Sequence, residues 1–242
     1  MTGLLLTLLV ASAAAFGLAL LSAVAGFGGG VLLLPVFTIL FGLRAAVPML
    51  TLTQLSSNGS RVWLNRHELR GSIIAWFAVG AVPCAVIGGL LLAHAPLAPL
   101  KRLLGVFLIG VVLWRHLRRR PRVPSEHAFA AVGAASGLGS ALLGSVGPLT
   151  APFFLAAGLT RAAYIGTEAA SALTMHITKI ATYGAGSLLT TRVLLYGVVL
   201  TPATLLGAWT GKKIVGRISD RIFVLLIEIG LLAAGALFLI GL

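Results

Sequence analysis

The sequence predicts an all-α integral membrane protein, a polytopic helical bundle of two homologous repeats. Three observations predict it. Hydrophobic residues make up 59% of the 242-residue chain and charged residues only 10%, with a mean hydropathy of +1.07. A soluble domain carries roughly 25% charged residues, so this chain lacks the polar surface to remain in water. Long apolar runs, rather than alternating ten-residue segments, exclude an outer-membrane barrel. Finally, Gly30-x4-Pro35-x8-Arg44-Ala45-Ala46 returns as Gly147-x4-Pro152-x8-Arg161-Ala162-Ala163, displaced by 117 residues. A second pair, Pro83-x4-Gly88 and Pro202-x4-Gly207, is displaced by 119.

Each half holds four long apolar segments and one short one. In the first repeat (1–117) they are 3–25, the short 31–43, 45–62, 71–93 and 100–117. A basic linker (118–126) with Pro121 and Pro124 follows. The second repeat (127–242) has 127–143, the short 149–159, 162–186, 193–211 and 222–242. A membrane crossing takes about 20 apolar residues, and the short segments fall below that. Each short segment follows a glycine-rich break, Gly26-Phe27-Gly28-Gly29-Gly30 or Gly144-Ser145-Val146-Gly147-Pro148. Glycine permits a sharp reversal there, and Pro148 suits a first helical turn. The expectation is a broken or re-entrant helix at each break. No charge occurs from Thr2 to Ala25, so the basic n-region of a signal peptide is missing and this stretch is expected to be the first membrane helix.

The net charge of +13 arises from arginines and lysines placed between apolar segments. That is the pattern of cytoplasmic loops, not of a nucleic-acid partner; the expected surroundings are the lipid bilayer. With the second repeat inverted, 13 Lys/Arg fall inside and 4 outside, Lys179 lying in the membrane; with parallel repeats the split is 9 against 8. Charge therefore predicts inverted repeats with both termini outside. A single cysteine, Cys84, excludes an internal disulfide and a cysteine metal cluster. No nucleotide-binding loop or other cofactor motif occurs, and no cofactor is expected.

Read together, these elements resemble the TauE/SafE family of sulfite and sulfonate exporters over nearly the whole chain. The resemblance rests on Gly28-Gly29-Gly30 to Pro35 and its second copy, and on Arg70-Gly71 to Gly88-Gly89. It rests also on Thr201-Pro202 to Gly211 and the basic loop leading into the last helix. The second copy reads Ser145-Val146-Gly147 in place of the full glycine run. The resemblance implies two related halves that export small sulfur-containing anions across the bacterial inner membrane.

An oxyanion in a low-dielectric site needs donors and positive potential, which half-helix N-termini supply. Gly28, Gly29, Gly30, Ser145 and Gly147 are therefore candidate substrate-binding positions, with close helix packing as the plainer alternative. For Gly207 and Gly211, spaced like a helix-packing motif, packing is the expected role. The segment 162–186 carries Glu168, Ser171, Thr174, His176, Thr178, Lys179 and Thr182. Ionisable groups inside a membrane segment are functional candidates. The matching stripe in the first half carries Thr51, Gln54, Ser57, Asn58 and Arg61. Lys179 is expected to attract the anion, with Gln54, Ser57, Asn58, Ser171 and Thr174 donating hydrogen bonds. The alternatives are snorkelling for Lys179 and interhelical bonding for the others. Glu168 is a candidate proton relay or an interfacial carboxylate. Arg44 and Arg161 are candidates for guarding access or for capping helix carbonyls. His176 is expected to face away from Glu168 and Lys179, in packing or at a lipid interface.

The expected function is that of a secondary transporter for a small sulfur anion. An anion channel and an intramembrane hydrolase are the alternatives. For the latter, Gly133-Ala134-Ala135-Ser136-Gly137 departs from a nucleophile motif, and no catalytic residue, His-Glu-x-x-His motif or aspartate pair is assigned. A homodimer is an open expectation.

Overall fold

The computed structural model describes residues 2–25, 30–117, 123–214 and 220–241. All secondary structure among them is helical: α1 (Thr2–Ala25), α2 (Gly30–Phe41), α3 (Leu43–Leu64), α4 (Gly71–His94), α5 (Leu97–Leu117), α6 (Ala128–Leu143), α7 (Gly147–Ala156), α8 (Arg161–Ala185), α9 (Thr191–Ile214) and α10 (Asp220–Leu239). The helix ends follow the apolar segments because each segment is bounded by glycine, proline or charge. α2 and α7 are short, at 12 and 10 residues. α4, with 24 residues and a mean hydropathy of 2.2, is long and apolar enough to cross a membrane. α3 and α8, at 22 and 25 residues, are of similar length but carry the polar stripes.

Four helix pairs lead the packing, α4 with α6, α1 with α9, α3 with α8, and α5 with α10, with α4 against α8 nearly as extensive as the last. Glycine sets the first. A Cβ at Gly80 would fall on the Ala130 carbonyl oxygen, and one at Gly133 or Gly137 on the carbonyl oxygens of Phe77 or Ala81. The backbones therefore touch, as small residues permit where water supplies no driving force. Contacts progress from Ser72–Glu126 through Phe77–Gly133 to Gly88–Ala141, so α4 and α6 run parallel. Gly207 packs in the same way against the Phe16 backbone of α1, the packing role its spacing suggested.

The other two pairs run antiparallel. Along α3, Asn58 meets His176, Arg61 meets Glu168 and Asn65 meets Gly166, so the α8 numbers fall as the α3 numbers rise. Along α5, Lys101 reaches the Gly241 carbonyl, Gly105 meets Leu239 and Ile109 meets Gly235.

Two apolar clusters flank a polar layer. One gathers Leu33, Leu34, Phe37, Met49, Leu50, Leu143 and Tyr183. The other gathers Phe77, Phe129, Phe154, Ala172 and Met175. Between them α6 stops at Gly144, whose φ of +76° is left-handed and whose missing Cβ leaves room for Leu50 at 3.0 Å. A side chain there would meet both backbone strain and Leu50.

Candidate functional site

At Gly144 one helix ends and, three residues on, another begins. The last carbonyls of α6 have no partner within the helix and carry the negative end of its dipole. They are met by a cation and neutral donors from α3 and α8. Lys179 Nζ donates to the Gly144 carbonyl at 3.1 Å and to Ser140 Oγ at 2.9 Å. Gln54 Nε2 reaches the same Gly144 carbonyl at 3.1 Å, and Tyr183 donates to the Ala141 carbonyl at 2.6 Å. Lys179 is 0% exposed, which a cation tolerates in a membrane helix only when its donors are met.

The first turn of α7 faces the other way, into a cavity of about 30 Å³. Ser145, Val146, Gly147 and Thr150 form one wall; Gln54, Asn58 and Arg61 of α3 and Glu168, Ala172 and His176 of α8 form others, with Ser140 at the base. At 10–15 Å³ for each water position, it holds about two waters. A larger cavity of about 400 Å³ lies at the opposite end of α3, among Leu40, Phe41, Ala45, Arg192 and Tyr196. Its wall offers one cation, Arg192, and the hydroxyls of Thr190 and Tyr196, whereas the smaller cavity gathers an arginine, a glutamate, a histidine, two amides and three hydroxyls.

One hydrogen-bonded chain runs along the smaller cavity. Arg61 donates to Glu168 Oε2 at 2.6 Å and to Asn58 Oδ1 at 3.1 Å. With its oxygen so engaged, Asn58 presents its amide N–H to His176 Nε2 at 3.1 Å, which places the ring proton on Nδ1. Nδ1 lies 3.5 Å from Lys179 Nζ, where two donors face each other, so the hydrogen-bonded chain ends at His176 and Lys179 packs beside it. Glu168, too far from Lys179 on one helix to pair with it, is joined through Arg61 and Asn58 of α3 to His176, which lies beside Lys179.

The sequence candidates separate into groups. Gln54, Asn58, Ser145, Gly147 and Glu168 reach the cavity wall. Lys179 stands one layer behind it, covered by Ser140 and His176. Ser57, Ser171 and Thr174 lie on α3 and α8 but off the wall: Ser57 accepts from Ser60 through its carbonyl, Thr174 donates to the Ser171 carbonyl, and the buried Ser171 hydroxyl has no partner. For these three the expected convergence fails, because a polar stripe on a 3.6-residue helix is wider than the wall it meets. Arg44 is a cap: it donates to the Leu92 and Ala95 carbonyls at the end of α4, at 3.2 and 2.9 Å. Its reach is to α4 because α3 starts beside the end of that helix. Gly28 and Gly29 lie outside the described residues, Gly30 begins α2, and Arg161 begins α8.

His176 corrects the sequence reading outright. It is 2% exposed and sits inside the polar chain, because a three-residue step leaves it only about 60° from Lys179. Arg61, Ser140 and Thr150 were not singled out as ligands. A signal existed for Ser140, which lies one helical turn before the glycine break, where a hydroxyl faces the freed carbonyls. Ser136, by contrast, donates to the Val132 carbonyl and is 3% exposed, away from the cavity wall.

The family model for sulfite exporter TauE/SafE matches residues 11–238. The chain belongs to the TauE/SafE family. This is a family of membrane transporters, and membership implies export of a sulfur-containing anion rather than catalysis. No curated protein and no solved structure shows significant similarity to the chain.

Proposed function

We propose that this TauE/SafE protein is a secondary transporter exporting sulfite or small organosulfonates across the bacterial inner membrane. The anion is held near the midplane in the cavity between α3, α8 and the first turn of α7. The polarity of the break carries this reading. Lys179 neutralises the end of α6, while the positive end of α7 is left facing a cavity with Arg61 on its wall. Such a helix start binds oxyanions, and Lys179 adds positive potential from behind.

Two inverted repeats with re-entrant α2 and α7 complete the proposal. Exchanging each helix for its counterpart turns the α1–α9 pair into α6–α4 and returns α3–α8 and α5–α10 to themselves. A two-fold relation does this, and the antiparallel course of α3 against α8 puts its axis across the helices. α6 rises about 24 Å over 16 residues, short of the roughly 30 Å hydrocarbon core, which supports a break within the membrane. Arg61, Arg66 and Arg70 then lie on the cytoplasmic side.

An inside-negative potential expels an anion, at about 2.3 kcal/mol per charge per 100 mV, so export needs no further energy source. The test is capacitive current from proteoliposomes challenged with sulfite, thiosulfate, sulfate, sulfoacetate, taurine and chloride. Saturable currents confined to sulfur anions are expected. Neither current nor calorimetric binding for any sulfur anion would refute the proposal.

A further inference from the structure

The Arg61–Glu168 pair sits where the anion has to go. Both side chains line the cavity, and Arg61 is 26% exposed against 13% for Glu168. A sulfonate group presents three oxygens, and the Arg61 guanidinium is the cationic donor on the wall of the cavity they would enter. The planar guanidinium is suited to hold two oxygens of one oxyanion, and in this structure Glu168 occupies part of that fork.

The pair also marks one end of the α3–α8 contact. At the displacement of 117, Glu168 matches Thr51 and Arg61 matches Thr178. Neither carries a charge, and each hydroxyl donates to a carbonyl of its own helix, Val47 for Thr51 and Thr174 for Thr178. The repeats thus share a backbone plan but differ in what ties α3 to α8 at its two ends.

We infer that Glu168 is a resident counter-anion, and that the Arg61–Glu168 pair is a gate opened when a substrate oxyanion displaces the carboxylate from Arg61. This rests on the reading of the cavity as the anion site. The displacement moves only non-covalent partners: the substrate takes the guanidinium donors, and the freed carboxylate turns toward the open side. Because Arg61 also holds Asn58, which holds His176 beside Lys179, movement at the gate is transmitted to the Gly144 break.

The test uses the full-length protein in membranes, with Cys84→Ala and a single cysteine at Ala172 on the cavity wall. The rate of modification by a charged thiol reagent is measured with and without sulfoacetate. Glu168→Gln is expected to label about tenfold faster, with protection by sulfoacetate at about tenfold lower concentration. Arg61→Gln is expected to label as fast but to lose protection, which general loosening of the helices does not produce. If Glu168→Gln does not fold, Glu168→Asp, which withdraws the carboxylate by one methylene, is read in the same way. Labelling and protection unchanged from the parent overturn the gate. Faster labelling with no protection in either background overturns the sulfur-anion reading while supporting the gate.

Discussion

Lys179→Met separates the electrostatic role of the buried cation from its role in packing. Methionine fills nearly the same space and removes the charge with its two hydrogen bonds, to Ser140 Oγ and the Gly144 carbonyl. Losing those bonds destabilises, while removing a buried charge relieves its desolvation; the two oppose each other. Gly144 keeps Gln54 as a donor. The variant is therefore expected to fold. Its loss lies in affinity. Ser140 Oγ is 2.9 Å from Nζ and lines the cavity, so an anion bonded to Ser140 lies roughly 6 Å from the ammonium. At an effective dielectric of 20 that is about 3 kcal/mol, a weakening of about 100-fold. The assay is calorimetric titration of sulfoacetate into purified protein, with a thermal melt confirming the fold. A folded variant whose Kd is unchanged would refute the argument that potential from behind the wall holds the anion.

Two further predictions concern the scaffold. Gly137→Leu drives a side chain into the Ala81 backbone, whose Cα lies 2.9 Å from the added Cβ, whereas Gly110 has nothing within 4 Å. A loss of about 2–3 kcal/mol at Gly137, read by melting in detergent, should leave Gly110→Leu unaffected. Single cysteines at Ala98 and Thr191 are expected to react with an impermeant reagent from outside the cell; reaction from opposite sides would refute inverted repeats.

Much of the fold was legible because a membrane helix leaves a coarse mark. All ten helices follow apolar segments whose ends are set by glycine, proline or charge, and the short α2 and α7 fall after the two glycine breaks. The recurring Gly-x4-Pro spacing falls at the starts of α2 and α7. The site was less legible. Of the residues on the cavity wall, Gln54, Asn58 and Glu168 stood out as polar groups within apolar segments, and Ser145 and Gly147 as parts of a glycine-rich break. Ser57, Ser171 and Thr174 carry the same signal yet lie off the wall, since composition does not say which part of a stripe meets the neighbouring helix. Arg61 was read only as part of a stripe, its partner Glu168 being 107 residues away.

The sequence by itself determined that the chain is helical and apolar, that a Gly-x4-Pro-x8-Arg-Ala-Ala pattern recurs in it, where glycine-rich stretches end its apolar runs, and which few groups in those runs are polar. These follow from local spacing and from the cost of polar groups in lipid. Only the tertiary structure decided which of those groups meet. It set Lys179 behind the wall, paired Arg61 with Glu168 and drew His176 into the chain. The physical reason is that hydrogen bonds reach about 3 Å, and which atoms come that close depends on how α3, α6 and α8 rotate and slide on one another. Glycine contacts such as Gly133 against Phe77 set that rotation, and no spacing within one helix encodes it.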